Sequence, residues 1–143
     1  MIVQIDNHIT WWYALIKMIY LKTKYFHRWA KKNGISDSIL KRCIAELNQG
    51  LYEASLGHKL YKKRLPVHGR GKRGGARTIL YFKRDDKLIF CMGFSKNVKT
   101  TLETDDIKIL RRLSYDFDNM NRDEVERLIE LGSFVIIDKE DSE

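Results

Sequence analysis

Lys62, Arg64 and Arg77 are where this chain carries its clearest chemical potential. Lys62 and Arg64 lie two apart in an extended segment, so they project from one face, and Arg77 on the following strand can lie beside them. Such a group suits cleavage of RNA in which the substrate's own 2′-hydroxyl attacks the adjacent phosphate. That reaction needs proton transfer, charge stabilisation and geometry, and no metal. A lysine crowded by other cations moves down from its reference pKa of about 10.4 toward a usable base. Arginine stays charged and instead suits stabilisation of a pentacoordinate phosphorane. A solvated basic strand is the bland reading of the same periodicity.

Other candidate motifs are weaker. His58 and His68 flank the basic strand and could form an acid/base pair for the same cleavage, although loop histidines are more often just exposed. The four histidines and Cys43 and Cys91 show no metal-ligand spacing, so neither a metal site nor a cofactor is expected. Asp85 and Asp86 read as a tight turn rather than a carboxylate dyad, which leaves an expected site with no carboxylate. Gly69, Gly71 and Gly74 match GxGxxG, but ARTILYF follows where a dinucleotide-binding turn must feed a helix, and no GK[ST] makes a P-loop. The glycines fit a hairpin loop, and the interleaved Arg70, Lys72 and Arg73 make that loop a candidate phosphate contact.

The elements that must position these residues can be read in order. Residues 18–22 (MIYLK) are β-rich and predict a first strand. Residues 25–33 put Phe26, Trp29 and Ala30 on one helical face and stop at Gly34. Ser36 or Asp37 caps a second helix with Ile39, Leu40, Cys43, Ile44 and Leu47 in one stripe, ending at Gly50. A connector containing Leu56 and Gly57 leads to an extended segment, 58–65, closed by Pro66. Residues 76–83 and 87–94 form two further strands about the turn Arg84, Asp85, Asp86, the second apolar enough to be central. Thr104 with Asp105 and Asp106 starts a third helix, Asn121 caps a fourth that ends at Gly132, and residues 133–137 form a last short strand. The order is β-α-α-β-β-β-α-α-(β), an α+β fold around one sheet.

At 143 residues the chain suits a single core. The two cysteines, far apart and without CxxC spacing, read as buried thiols in a reducing compartment. The net charge of +8 is unevenly placed: residues 57–99 hold 13 Lys+Arg against 2 Asp+Glu, whereas residues 101–143 hold 6 against 13. Concentrated positive charge favours a polyanionic partner, nucleic acid ahead of a membrane, since no basic amphipathic helix accompanies it. The apolar run 9–21 contains Lys17 and is too short to span a bilayer, and residues 1–8 lack the Lys or Arg of a signal peptide, so a cytoplasmic location is expected.

The succession LGHKLYKKRLPVHGRGKRGGARTILYFKRDDKLIFCMGFSKN resembles the RelE/HigB-like toxins of type II toxin–antitoxin modules, notably the HigB-like branch with its KKR, GRGK.GG.R and GF.KN blocks. KYFHRWAKKNGISDSILKRCIAELNQGLYEASLG before it and GSFVII after it are similar too, so the resemblance covers roughly residues 18–137. It leaves out an N-terminal extension, 1–17, and an acidic tail, 138–143. It implies a small twisted antiparallel sheet packed on helices with a concave basic face. The implied activity is that of a metal-independent, ribosome-dependent mRNA endoribonuclease yielding a 2′,3′-cyclic phosphate, which inhibits translation and is neutralised by a helix-turn-helix antitoxin.

Position by position, the resemblance places the catalytic basic pair on Lys62 and Arg64, the next strand's arginine on Arg77, and a further basic position on Lys96. Lys59, Lys63, Arg70, Lys72 and Arg73 are the expected RNA-binding residues. Where relatives carry an arginine after that last lysine, this chain has Asn97, so Lys96 is expected to serve both positions; Tyr61, Tyr81 or Phe94 would replace a missing aromatic. A ParE-like gyrase inhibitor of the same fold and a non-catalytic nucleic-acid-binding protein are the alternatives.

Overall fold

The computed structural model describes residues 18–66, 75–95 and 104–137. Its elements are β1 (Ile19–Thr23), α1 (Lys24–Lys32), α2 (Asp37–Asn48), β2 (Ala54–Gly57), β3 (Leu60–Leu65), β4 (Ala76–Lys83), β5 (Lys87–Ser95), α3 (Thr104–Asp118), α4 (Arg122–Glu130) and β6 (Phe134–Ile136). The strands form one sheet in the order β2-β3-β4-β5-β1-β6. The fold is α+β, as the alternation of elements predicts.

Two features add to the expected order. β2 is a strand where the sequence reads as a connector, because ASLG lacks the β-branched and aromatic residues that mark strands. Pairing makes it one: Ala54 lies opposite Lys62 and Ser55 opposite Tyr61. The sheet is also mixed, since β1 runs parallel to β5 from Ile19↔Lys87 to Lys22↔Phe90. The extended segment starts at Leu60 rather than His58, because His58 (φ 55°) and Lys59 (φ 64°) form a two-residue hairpin loop. A type I′ turn demands positive φ at both central positions.

Both faces of the sheet are covered, so the central strands are buried almost throughout. α1 and α2 cover one face, where Phe26, Ala30, Leu40, Cys43, Ile44 and Leu47 meet Leu65, Leu80, Phe82, Leu88 and Phe90. α3 and α4 cover the other, where Leu110, Phe117 and Val125 meet Leu60, Ile79, Tyr81, Ile89 and Phe94. Cys43 and Cys91 are free thiols in these two separate cores, and burial pushes the pKa of each up to about 12. Thr23 locks β1 to its neighbours: its Oγ1 accepts from Phe26 N (3.0 Å), capping α1, and donates to the Cys91 carbonyl (2.9 Å). Asn121 and Glu124 form the reciprocal capping box of α4.

A bulge sets which residues face the site. The β4–β5 register shifts between Ile79 and Leu80, so that Leu80 opposes Phe90 and Ile79 opposes Met92, with Cys91 as the extra residue. Phe94 thereby lies opposite Arg77, and Gly93 lies opposite Thr78 beneath the ring of Trp29. A β-carbon on Gly93 would overlap that ring. Gly93→Ala should therefore cost about 1–3 kcal/mol by overpacking, read as a lower thermal midpoint; with Trp29→Leu already in place, the same change should cost clearly less.

Candidate cationic site

The register of β3 and β4 builds the site. Leu60 opposes Tyr81, Lys62 opposes Ile79 and Arg64 opposes Arg77. Leu60, Ile79 and Tyr81 lie in the core under α3, so strand alternation puts Lys62, Arg64 and Arg77 on that same face, Arg64 and Arg77 at the end of the strands away from the β2–β3 hairpin loop. Arg64, Arg77 and Phe94 make one row across three strands. Two arginines directly opposite stand about 5 Å apart at Cβ and destabilise an isolated sheet, an arrangement that an anion relieves.

The three cations differ in their surroundings. Arg64 is exposed and Lys62 half-buried, and neither has an acidic partner among the described residues. Arg77 is 7% exposed, and its Nε forms an ion pair with Glu53 Oε1 at 2.7 Å. Glu53 precedes the edge strand β2, and its backbone N–H bonds the Lys62 carbonyl at 2.8 Å. It reaches across β3 to fix one edge of the Arg77 guanidinium. The expectation of a site without a carboxylate is thereby corrected, because Glu53 borders it. Nothing in the local sequence marks Glu53, because its approach depends on the β2–β3 pairing.

Not every expected residue joins this face. Lys63 points to the opposite one, where its Nζ forms an ion pair with Glu46 of α2 at 2.6 Å. Lys59, in the hairpin loop, bonds Asp118 at 3.3 Å. Tyr61 packs under α1 and α2 beside Tyr52 and Phe82, and Tyr81 is fully buried. Phe94 is the aromatic that the bulge brings next to Arg77. His58 contacts Tyr115 of α3, with ring centroids 5.1 Å apart. Lys96, Arg70, Lys72, Arg73 and His68 lie outside the described residues. Among the described residues, no three His, Cys, Asp or Glu side chains are grouped to hold a metal ion.

The far end of the same face is clasped by Asp118. Its Oδ1 accepts from the Tyr81 hydroxyl at 2.7 Å and lies 3.9 Å from Lys83 Nζ, while Oδ2 faces Lys59. The Tyr81 hydrogen bond is the main cause holding Asp118 below its ordinary carboxylate pKa; Lys59 and Lys83 add to this and partial burial opposes it. Burial, then the same hydrogen bond, raises the Tyr81 phenol, so Tyr81 stays protonated at neutral pH. A lowered folded-state pKa stabilises the fold above the unfolded value of about 3.9, and this contribution is lost as pH falls through the folded value. Asp118→Asn should cost about 1 kcal/mol at pH 7, a modest figure for a carboxylate one-third exposed. The difference in urea midpoint from the parent should shrink toward zero near pH 2.

A mixed sheet, a helical pair on each face and a row of cations at one end of it define a small basic α+β protein suited to a polyanion. The chain belongs to the RelE toxin family: the family model of the RelE toxin of RelE/RelB toxin–antitoxin systems matches residues 18–137. Toxins of this family are generally endoribonucleases that inhibit translation, countered by an antitoxin. No curated protein matches the chain. Among the described residues, no helix is long and apolar enough to cross a membrane.

Proposed function

We propose that residues 18–137 form a HigB-like toxin that cleaves mRNA on the ribosome without a metal ion, in the cytoplasm, and that a helix-turn-helix antitoxin neutralises it. The observation that carries this reading is the convergence of Lys62, Arg64 and Arg77 on one end of one face, with Arg64 and Arg77 in direct register. Lys62 takes the proton of the substrate 2′-hydroxyl as its oxygen attacks phosphorus. Arg64, the exposed cation, holds the phosphate, and Arg77 stabilises the added charge of the phosphorane. The bond from phosphorus to the 5′-oxygen breaks, leaving a 2′,3′-cyclic phosphate, and Lys96 supplies the proton that the departing oxygen takes up. Loop residues Arg70, Lys72 and Arg73 contact flanking phosphates, and Lys59 adds charge at the hairpin.

Sequencing the 5′-ends of cellular mRNA after induction tests the reading. New ends in phase with codons are expected. DNA damage with intact mRNA would point to gyrase inhibition instead, and salt-sensitive RNA binding with neither outcome would point to a non-catalytic binder.

A further inference from the structure

The outer face of α3 carries Lys108, Arg111, Arg112 and Tyr115, spaced i, i+3, i+4 and i+7, so the four side chains form one stripe along the helix. All four are exposed, on the side opposite buried Leu110, Ser114 and Phe117. Lys108, Arg111 and Arg112 have no acidic partner among the described residues, and Asp116 is the exposed carboxylate one turn beyond Arg112. The stripe stands out against its segment, since residues 101–143 hold 6 Lys+Arg against 13 Asp+Glu. Its acidic neighbour Asp118 is turned inward and occupied by Tyr81, Lys59 and Lys83.

The stripe does not end with the helix. Tyr115 is 54% exposed and meets the ring of His58, so the stripe continues onto the β2–β3 hairpin loop. An exposed aromatic ring at the end of a run of exposed cations matches what an RNA backbone with accessible bases requires: positive charge at phosphate spacing and a surface on which a base can stack. α3 packs over the sheet face that bears Lys62, Arg64 and Arg77, so the stripe lies on the same side of the molecule as that site but on a separate element.

We propose that Lys108, Arg111, Arg112 and Tyr115 form a second RNA-contacting surface that docks the protein on ribosomal RNA, apart from the residues that cleave. This rests on the ribosome-dependent reading above for the identity of the RNA. The test compares the full chain with a Lys108→Gln, Arg111→Gln, Arg112→Gln variant, chosen because glutamine is uncharged and keeps helix propensity. Circular dichroism and the thermal midpoint confirm that the variant folds. Binding to isolated ribosomes is measured by cosedimentation across a salt series, and cleavage on programmed ribosomes is measured at low and saturating ribosome concentration.

Three lost phosphate contacts should weaken ribosome binding by about tenfold or more near 0.1 M salt and lower the slope of log K against log salt by about 2 to 3. Cleavage should fall at low ribosome concentration and recover at saturation. Tyr115→Ala should weaken binding with the slope unchanged. Unaltered ribosome binding and salt slope in the triple variant would overturn the proposal, as would weakened binding only to the antitoxin. Absence of mRNA cleavage by the parent chain would instead count against the nuclease reading and leave the binding comparison to decide the stripe.

Discussion

Lys62→Ala should lower mRNA cleavage on the ribosome by about 10²- to 10⁴-fold, the usual loss for one acid/base group, while the neighbouring Lys63→Ala should leave the rate per folded molecule nearly unchanged. The contrast follows from the pleat. Lys62 lies on the cationic face, half-buried and without an acidic partner among the described residues, whereas Lys63 points to α2 and is tied to Glu46. Lys62→Ala should fold normally, because no ion pair to a described residue is lost with the side chain. Lys63→Ala should lose stability. Breaking a fully buried pair costs about 3–5 kcal/mol, but Glu46 is 47% exposed and can turn to water, so about 1–2 kcal/mol is expected. Single-turnover cleavage and urea unfolding of both variants measure the two effects separately. Equal rate losses would mean that the face assignment does not govern the chemistry.

Arg77→Ala should be the other severe change, reducing cleavage by about 10²- to 10³-fold, as loss of one preorganised donor does. It also leaves Glu53 facing the site unneutralised. Glu53→Gln separates the two consequences, since it keeps shape and loses only the charge that holds the Arg77 Nε. Glu53 acts through Arg77, so it is a positioning residue, and its removal should lower the maximal rate by about tenfold with little change in the ribosome concentration at half-maximal rate. In an Arg77→Ala background, Glu53→Gln should cause no further loss and should recover part of the rate, because Glu53 has no partner left to hold and the change removes the carboxylate left unneutralised beside the phosphate. Arg77→Lys should rescue poorly, as a point charge cannot meet Glu53 and a phosphate with one planar fork. A full additional loss from Glu53→Gln in the Arg77→Ala background would show that Glu53 touches the reaction directly.

Much of the scaffold was legible because its signals are local. Ser36 and Asn121 act as helix caps through their own neighbours' N–H groups, and the apolar run of β5 marks a central strand whatever its partners. The shared face of Lys62 and Arg64 follows from a period of two. What was not legible depends on pairing across the sheet. β2 has no strand composition and exists because β3 offers it an edge. Glu53 reaches Arg77 only through that pairing. The bulge at Cys91 decides that Phe94, not Gly93, stands beside Arg77, and a one-residue insertion in register leaves no trace in the sequence. Lys63 shows the same limit from the other side: a basic residue inside a basic run is read as part of the patch until the partner helix supplies Glu46. The cations of α3 were hidden by an acidic average over their segment, although their spacing of three and four residues was visible.

The proposed division of labour is between strand and helix. Strand-borne Lys62, Arg64 and Arg77 are placed by backbone register and, at Arg77, by a 2.7 Å contact with Glu53. The Asp118 clasp holds the C-terminal end of α3 to the start of β3 and the end of β4, which keeps the helix seated over the same face. Arg77, held by Glu53, suits a reaction whose barrier falls mainly through charge stabilisation, because a preorganised donor needs no rearrangement as charge develops.

The chemistry of the cut ends tests the proposed cleavage most directly. Purified chain is incubated with programmed ribosomes, and the mRNA fragments are analysed for their terminal groups, with Lys62→Ala as the control. Fragments ending in a 2′,3′-cyclic phosphate and beginning with a 5′-hydroxyl are predicted, formed at least about 10²-fold more slowly by Lys62→Ala. Fragments with a 3′-hydroxyl and a 5′-phosphate would show that water, not the substrate's 2′-hydroxyl, is the nucleophile, and would contradict the roles of Lys62, Arg64 and Arg77 in the cleavage.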